Sequence, residues 1–237
     1  MLEVSVTSKS FISADETPLQ ALGDLRFSVG TGRFTCLVGP SGCGKTTTLR
    51  LILGLDTDYG GQIRVSDNGP TAAVFQEPRL LPWRTVDQNI RLVLPDALAG
   101  GDLSALYQSL ELTGLENFYP GELSVGLARR AALARAFALE PSLLLLDEPF
   151  VSLDEPLAAR LRTLLIEVWS ARPTTVLMVT HNLREAVELA DEIVLMTPRP
   201  GTLLAIHRVD VPRAARDPAT VLALLDDLLR TAYPKIG

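Results

Sequence analysis

The sequence predicts an α/β chain with a mainly parallel core sheet, an antiparallel β part at its N-terminus and a helical subdomain inserted in its middle. Three observations point there. Short apolar runs at 143–147, 175–179 and 192–196 alternate with helix-like stretches at 156–171 and 182–190. Strand–helix alternation of that kind is the pattern of a parallel sheet covered by helices. Residues 3–8 and 25–29 read as strands around a loop at Ser13–Pro18, and the stretch 85–139 has a helical pattern inside the alternating part.

In chain order, Phe34–Val38 is a short apolar run, hence a buried strand, and it ends at Gly39. A helix is expected from Lys45 to about Leu55, stopped by Asp56 and the Gly60-Gly61 turn. Gln62–Val65 and Ala72–Phe75 read as short strands. The helical stretch from Thr85 to about Tyr119 is broken by Pro95 and Gly100-Gly101. A longer helix runs from Ser124 to Leu139, and Pro141 ends it. After the alternating elements, a hairpin-like piece near 203–209 and a helix at about 218–232 close the chain. The expectation is one domain over 1–237, with 85–139 as its helical subdomain and 203–237 as a C-terminal extension.

Composition narrows the function. The chain has 237 residues, 47% of them hydrophobic, enough to bury a sizeable core. A net charge of −6 argues against a nucleic-acid partner, which calls for a basic face. Two cysteines, Cys36 and Cys43, form no Cys-x-x-Cys pair, so neither a zinc site nor a disulfide framework is expected, and a reducing cytosol fits. Met1–Phe11 lacks the basic flank and apolar core of a secretory signal. No apolar run reaches the roughly 18 residues that would suggest a membrane span. A role in a membrane process would therefore run through a partner.

Two motifs carry chemistry. Gly39-Pro40-Ser41-Gly42-Cys43-Gly44-Lys45-Thr46 fits the phosphate-binding loop G-x-x-x-x-G-K-[ST], between a buried strand and a helix. Glycines let the backbone turn its N–H groups inward as an anion nest, and the helix after it presents its positive end to the same phosphates. Lys45 is placed for β and γ phosphates, Thr46 for Mg²⁺, and Thr47 follows at the same helix start. The second motif is Leu143-Leu-Leu-Leu-Asp147-Glu148-Pro149. Two carboxylates ending a buried strand are costly unless they face a polar site. Asp147 suits Mg²⁺ or its water shell, and Glu148 could act as general base on an attacking water. An acidic loop capping the next helix would explain the pair when it is taken alone.

Two weaker candidates follow strands. His181, after Val176–Thr180, could hydrogen-bond a γ-phosphate, though a lone histidine there is more often an ordinary strand end. Gln76, after Phe75, could reach the metal or the water, and in isolation a surface glutamine explains it as well.

In this order the residues resemble the ATP-binding subunit of an ABC (ATP-binding cassette) transporter, over roughly residues 3–210. Gly39–Thr46 resembles the Walker A motif and Leu143–Glu148 the Walker B motif with its catalytic glutamate. Gln76 matches the Q-loop, His181 the switch histidine, Ser152-Leu153-Asp154 the D-loop, and Phe11 the aromatic residue placed against adenine. Leu123-Ser124-Val125-Gly126 stands where the family has its Leu-Ser-Gly-Gly signature. Val125 departs from that pattern, while Ser124 and Gly126 keep it. The resemblance implies ATP and Mg²⁺ as cofactors, and two copies sharing two ATP sites, with Ser124, Gly126 and Asp154 facing nucleotide across the dimer. Gln76, with Thr46 and Asp147, would serve the metal; Lys45, Gln76, Glu148 and His181 would serve catalysis.

A narrower likeness lies in Val74–Trp83 and Thr197–Gly201, which resemble the nitrate, sulfonate and taurine importer branch. That branch implies permease subunits docked near Gln76–Trp83, an extracellular or periplasmic substrate-binding protein, and a place on the cytoplasmic face of the membrane. Leu80, Leu81 and Trp83 would supply an apolar docking patch, unless they turn inward to cover their own core. A non-transport ABC ATPase, another phosphate-loop enzyme, or an importer of a pyrimidine precursor, bicarbonate or lipid are the alternatives. The cargo is not encoded in these residues.

Overall fold

The computed structural model describes residues 1–12, 15–66 and 69–232. Ser13 and Ala14 of the expected loop, and residues 233–237 of the expected extension, lie outside the described residues. In chain order the elements are β1 (Leu2–Ile12), β2 (Pro18–Leu22), β3 (Leu25–Val29), β4 (Phe34–Val38), α1 (Lys45–Ile52), β5 (Gly60–Val65), β6 (Thr71–Val74), α2 (Val86–Arg91) and α3 (Ser104–Ser109). Then follow α4 (Val125–Ala138), β7 (Leu143–Asp147), α5 (Glu155–Ala171), β8 (Thr175–Thr180), α6 (Leu183–Leu189), β9 (Glu192–Met196), β10 (Leu203–Arg208) and α7 (Pro218–Ala232). The chain divides into two compact units, one made of Met1–Asn68 with Thr175–Gly237 and the other of Gly69–Thr174.

The first unit holds two sheets. In the antiparallel one, β1 pairs with β3 and β5 through its first half and with β2 through its second. Leu2, Val4 and Val6 alternate inward and meet the buried Leu25, Phe27 and Val29 of β3. The other sheet runs β10-β9-β4-β8, with β4 parallel to both β8 and β9 and β10 antiparallel on the edge. Every residue of β4 and β8 is buried, as a strand covered on both faces requires. The start of β4 is tied down twice: the Phe34 N–H donates to Asp191 at 2.8 Å, and the Gly32 N–H to the Thr175 hydroxyl at 3.1 Å. The strand's far end therefore delivers Gly39 to a fixed place.

The second unit pairs β6 with β7 in parallel, Thr71 opposite Leu143 through Val74 opposite Leu146. Helix α4 packs on β6, α2, α3 and α5. Ser124 caps it, its hydroxyl accepting from the Leu127 N–H at 3.3 Å.

Two local expectations need correction. Strand β2 lies where none was expected, and β1 runs on to Ile12. β2 opens with Pro18, whose missing N–H is tolerated at the first position of an edge strand. The stretch 85–119 is broken as expected at Pro95 and Gly100-Gly101, into the short helices α2 and α3, because Pro95 removes a donor and Gly100-Gly101 adds backbone freedom. Helix α1 stops at Ile52, three residues early, and Gly54, at φ +67°, turns the chain away.

Candidate functional site

In the first unit the phosphate loop leaves β4 and enters α1. Gly42 and Gly44 stand at φ +77° and +100°, a region L side chains rarely adopt. At Gly44 a Cβ would also lie 2.4 Å from Leu22 Cδ2, so β2 presses directly on the loop. From the other side, Gly201 packs so tightly that a Cβ there would stand 1.9 Å from the Cys43 carbonyl oxygen. The Gly201 N–H donates to Ala21 and its carbonyl accepts from Gly23, both at 2.9 Å. Arg199 adds a bond from Nε to the Gly42 carbonyl at 3.2 Å. Thus Ala21–Gly23 and the 197–202 turn brace the loop, and neither brace belongs to the loop motif.

Lys45 is buried, its ammonium donating to the Gly39 carbonyl at 2.8 Å and the Pro40 carbonyl at 3.1 Å. Ser41, Thr46 and Pro40 are exposed, Thr47 is half-buried, and Cys43 is buried against Met196. Cys36 lies in the strand below, its thiol pushed up by burial, which leaves it inert.

Phe11, the next-to-last residue of β1, has 41% of its surface exposed. One face of its ring carries the Lys9 ammonium, 4.8 Å from the centroid. Lys9 is itself buried and bonds Asp56 at 2.9 Å and the Asp58 carbonyl at 2.6 Å. That hydrogen bond holds the Asp56 carboxyl below its usual range.

His181 sits exposed between β8 and α6. Around it, the Thr180 hydroxyl donates to buried Glu185 at 2.7 Å and accepts from the Asn182 N–H at 3.0 Å. Asn182 caps α6 and also reaches Glu185 at 3.2 Å. Thr180, Asn182 and Glu185 thus fix the histidine's backbone. Sequence reading missed them, although Thr-His-Asn-x-x-Glu is legible as a cap with a carboxylate one turn in.

In the second unit β7 carries Asp147, buried, at its last position, and Glu148 follows, half-buried at φ +44°. Ser152 stands at φ +61°, so two non-glycine residues of this short loop are strained. Asp154 caps α5, its carboxylate accepting from the Leu157 N–H at 3.0 Å. Gly126 is buried where a Cβ would meet Leu157 at 2.7 Å, which gives it a packing role within this chain. Val125 is 60% exposed, so its bulk projects away from that contact.

Gln76 is exposed just beyond β6. The following segment folds around Asn89, whose Oδ1 accepts from the Leu81 N–H at 2.7 Å. Its Nδ2 donates to the carbonyls of Leu81, Arg84 and Thr85 at 3.0–3.1 Å. Leu80 and Leu81 are half-buried, and Trp83 is 70% exposed. The patch is therefore one projecting tryptophan on a braced turn. Asn89 gave no signal in the sequence.

The donor types suit the expected ligands. The Gly42 and Gly44 conformations make a cradle that side chains would fill, as an anion nest needs. Thr46, Gln76 and Asp147 are all oxygen donors, the chemistry Mg²⁺ prefers.

The chain is similar to known proteins. The family model described as ABC transporter matches residues 22–151. The aliphatic sulfonates import ATP-binding protein of Bacillus subtilis is 39% identical over 86% of this chain and 84% of its own length. A protein of the same name from Burkholderia cenocepacia is 42% identical over 84% and 77%. Among solved structures, an ATP-binding subunit of an ABC transporter superposes with a TM-score of 0.73 at 26% identity, over 95% of this chain and 99% of its own. A dimeric ATP-binding cassette in a post-hydrolysis state with ADP and Pi superposes at 0.75 over 90% of this chain and all of its own; at 24% identity it speaks for the fold alone.

Proposed function

The chain belongs to the ABC transporter family, and from that membership we propose that it is the ATP-hydrolysing subunit of an importer for small anions, aliphatic sulfonates first among them. The observation that carries the cargo class is the 39–42% identity to sulfonate import ATP-binding proteins over more than four-fifths of the chain. No helix among the described residues is long and apolar enough to cross a membrane, and the importer reading supplies a membrane-spanning permease as partner. Such a partner would meet the Gln76–Trp83 segment from the cytoplasmic side, with Trp83 as its apolar anchor.

The ATP phosphates are held by the N–H groups of the Gly39–Thr46 loop and by Lys45, with Phe11 offering its open ring face to adenine. Thr46, Gln76 and Asp147 would hold Mg²⁺, which neutralises charge developing on the phosphates. Glu148 takes the proton of the attacking water, and His181 donates to the γ-phosphate. Two copies of the chain close over two nucleotides, each offering the Ser124 end of α4 and its Asp154 loop to the other's ATP. Closure moves the permease and hydrolysis releases it.

The test is ATP turnover in proteoliposomes holding this chain, its permease and the substrate-binding protein encoded beside it. Ethanesulfonate, taurine, nitrate and bicarbonate are supplied in separate arms. Stimulation by ethanesulfonate above the other three is the expected result. Stimulation by nitrate or bicarbonate alone would move the cargo elsewhere in the branch, and no stimulation by any arm would remove the importer assignment.

A further inference from the structure

Helix α4 does more than present Ser124. Five residues further on, Arg129 is buried, 8% exposed, with its guanidinium turned toward the loop after β7. Its two terminal nitrogens donate to the Pro149 carbonyl at 2.6 Å and the Val151 carbonyl at 2.7 Å. Among the described residues no carboxylate pairs with it, and its Nε is buried without a hydrogen-bond partner. Burial alone pushes its pKa down. A buried cation balanced only by backbone dipoles is a costly device, and its volume could be filled by an apolar side chain. Its position supplies a use for that cost. Pro149 and Val151 flank Phe150 in the stretch from Glu148 to Ser152, both ends of which are held at positive φ.

A guanidinium fork can grip two carbonyls at once, whereas a lysine offers one point of charge. Gripping both fixes two peptide planes between Glu148 and Ser152, and so fixes the strained backbone from which the Glu148 side chain leaves. The same helix repeats the device at Arg135, also desolvated, whose guanidinium donates to the carbonyls of Pro78 and Arg79 at 2.9 and 2.8 Å. Helix α4 thus ties the segment after Gln76, its own Ser124 end and the Glu148 loop into one body.

We propose that Arg129 is a positioning residue for Glu148, coupling the Ser124 end of α4 to the placement of the general base. This rests on the ATPase function proposed above. When the Ser124 end is engaged, α4 carries the Pro149–Val151 carbonyls with it, and Glu148 is set for the water. Without that engagement the Glu148 loop is not set for the water, so hydrolysis waits for it.

The experiment is steady-state ATPase with the full chain carrying Arg129→Met or Arg129→Lys, each alone and on a Glu148→Gln background. ATP affinity is measured without turnover, by equilibrium binding in EDTA. Arg129→Met should lower kcat by about 10- to 100-fold, the range expected when a reacting group is misplaced. KM and ATP affinity should stay within about two-fold of the parent, while the melting temperature falls modestly because the Pro149 and Val151 carbonyls lose their donor. Arg129→Lys should fall between Met and parent, and if the Met variant does not fold it carries the test. On the Glu148→Gln background neither change should lower the residual rate further. A folded variant with parental kcat, or one losing affinity and kcat together, overturns the proposal. Parental hydrolysis by Glu148→Gln itself would instead remove the general base on which the proposal stands.

Discussion

The Lys45 ammonium folds back onto its own loop, donating to the Gly39 carbonyl at 2.8 Å and to the Pro40 carbonyl at 3.1 Å. A buried lysine holding two carbonyls is a cation already desolvated, and under the proposed function phosphate oxygens would take the place of those carbonyls. Lys45→Met should weaken ATP binding by about 10- to 100-fold, the loss of one charge-assisted hydrogen bond at ~1.5–3 kcal/mol. Equilibrium titration with ATP checks it, and unchanged affinity would remove Lys45 from the site.

The brace on the loop is testable apart from its chemistry. Gly44→Ala places a Cβ 2.4 Å from Leu22 at φ +100°. Strain of this kind costs about 1–3 kcal/mol, and the collision with β2 adds to it. Denaturant unfolding should show a lower midpoint, and ATP affinity should fall with it. Gly54→Ala, at φ +67° with open space around it, is the comparison and should cost less.

Phe11 has one ring face occupied by Lys9 and 41% of its surface open. Phe11→Ala should weaken ATP binding by roughly 3- to 10-fold, the worth of one aromatic contact. It should leave competition by inorganic tripolyphosphate unchanged, because that ligand has no base to stack. Equal weakening of both ligands would show that the ring supports the loop instead of the base.

The Lys9–Asp56 pair predicts a pH dependence of stability. Its bond to Lys9 depresses the folded-state pKa of Asp56. Its contribution is therefore complete above the unfolded aspartate pKa of about 3.9 and is lost as pH falls through the lower folded value. Asp56→Asn should destabilise the chain at neutral pH by about 1–3 kcal/mol, since it leaves the buried Lys9 ammonium short of a partner. It should also flatten the acid limb of the stability curve below about pH 4. An unaltered acid limb in the variant would show that other carboxylates carry it.

What was legible in the sequence follows from range. Strand β7 was readable from four leucines, and α4 from Ser124 as its cap, because both signals are local. The phosphate loop was legible for the same reason: one conformation demands glycines at fixed spacing. β2 was not, since it is a short edge strand that opens on Pro18 with its first three residues exposed. The Lys9 anchor lies 47 residues from Asp56, and the Arg129 fork spans 20 and 22 residues to its carbonyls. Nothing in a single chain marks such a pair, and a carbonyl acceptor has no side-chain identity to read. The glycine of the signature segment was legible as a motif, while its packing against Leu157 was not.

The most direct measurement is steady-state ATP hydrolysis by the purified chain beside its Glu148→Gln variant, with ATP affinity measured for both. The geometry predicts that the parent turns over ATP, that the variant binds ATP as tightly, and that its turnover falls by about 10²- to 10⁴-fold for loss of a general base. Hydrolysis by the variant at the parental rate would contradict the assignment of Glu148 as the base, and a parent that binds no ATP would contradict the site altogether.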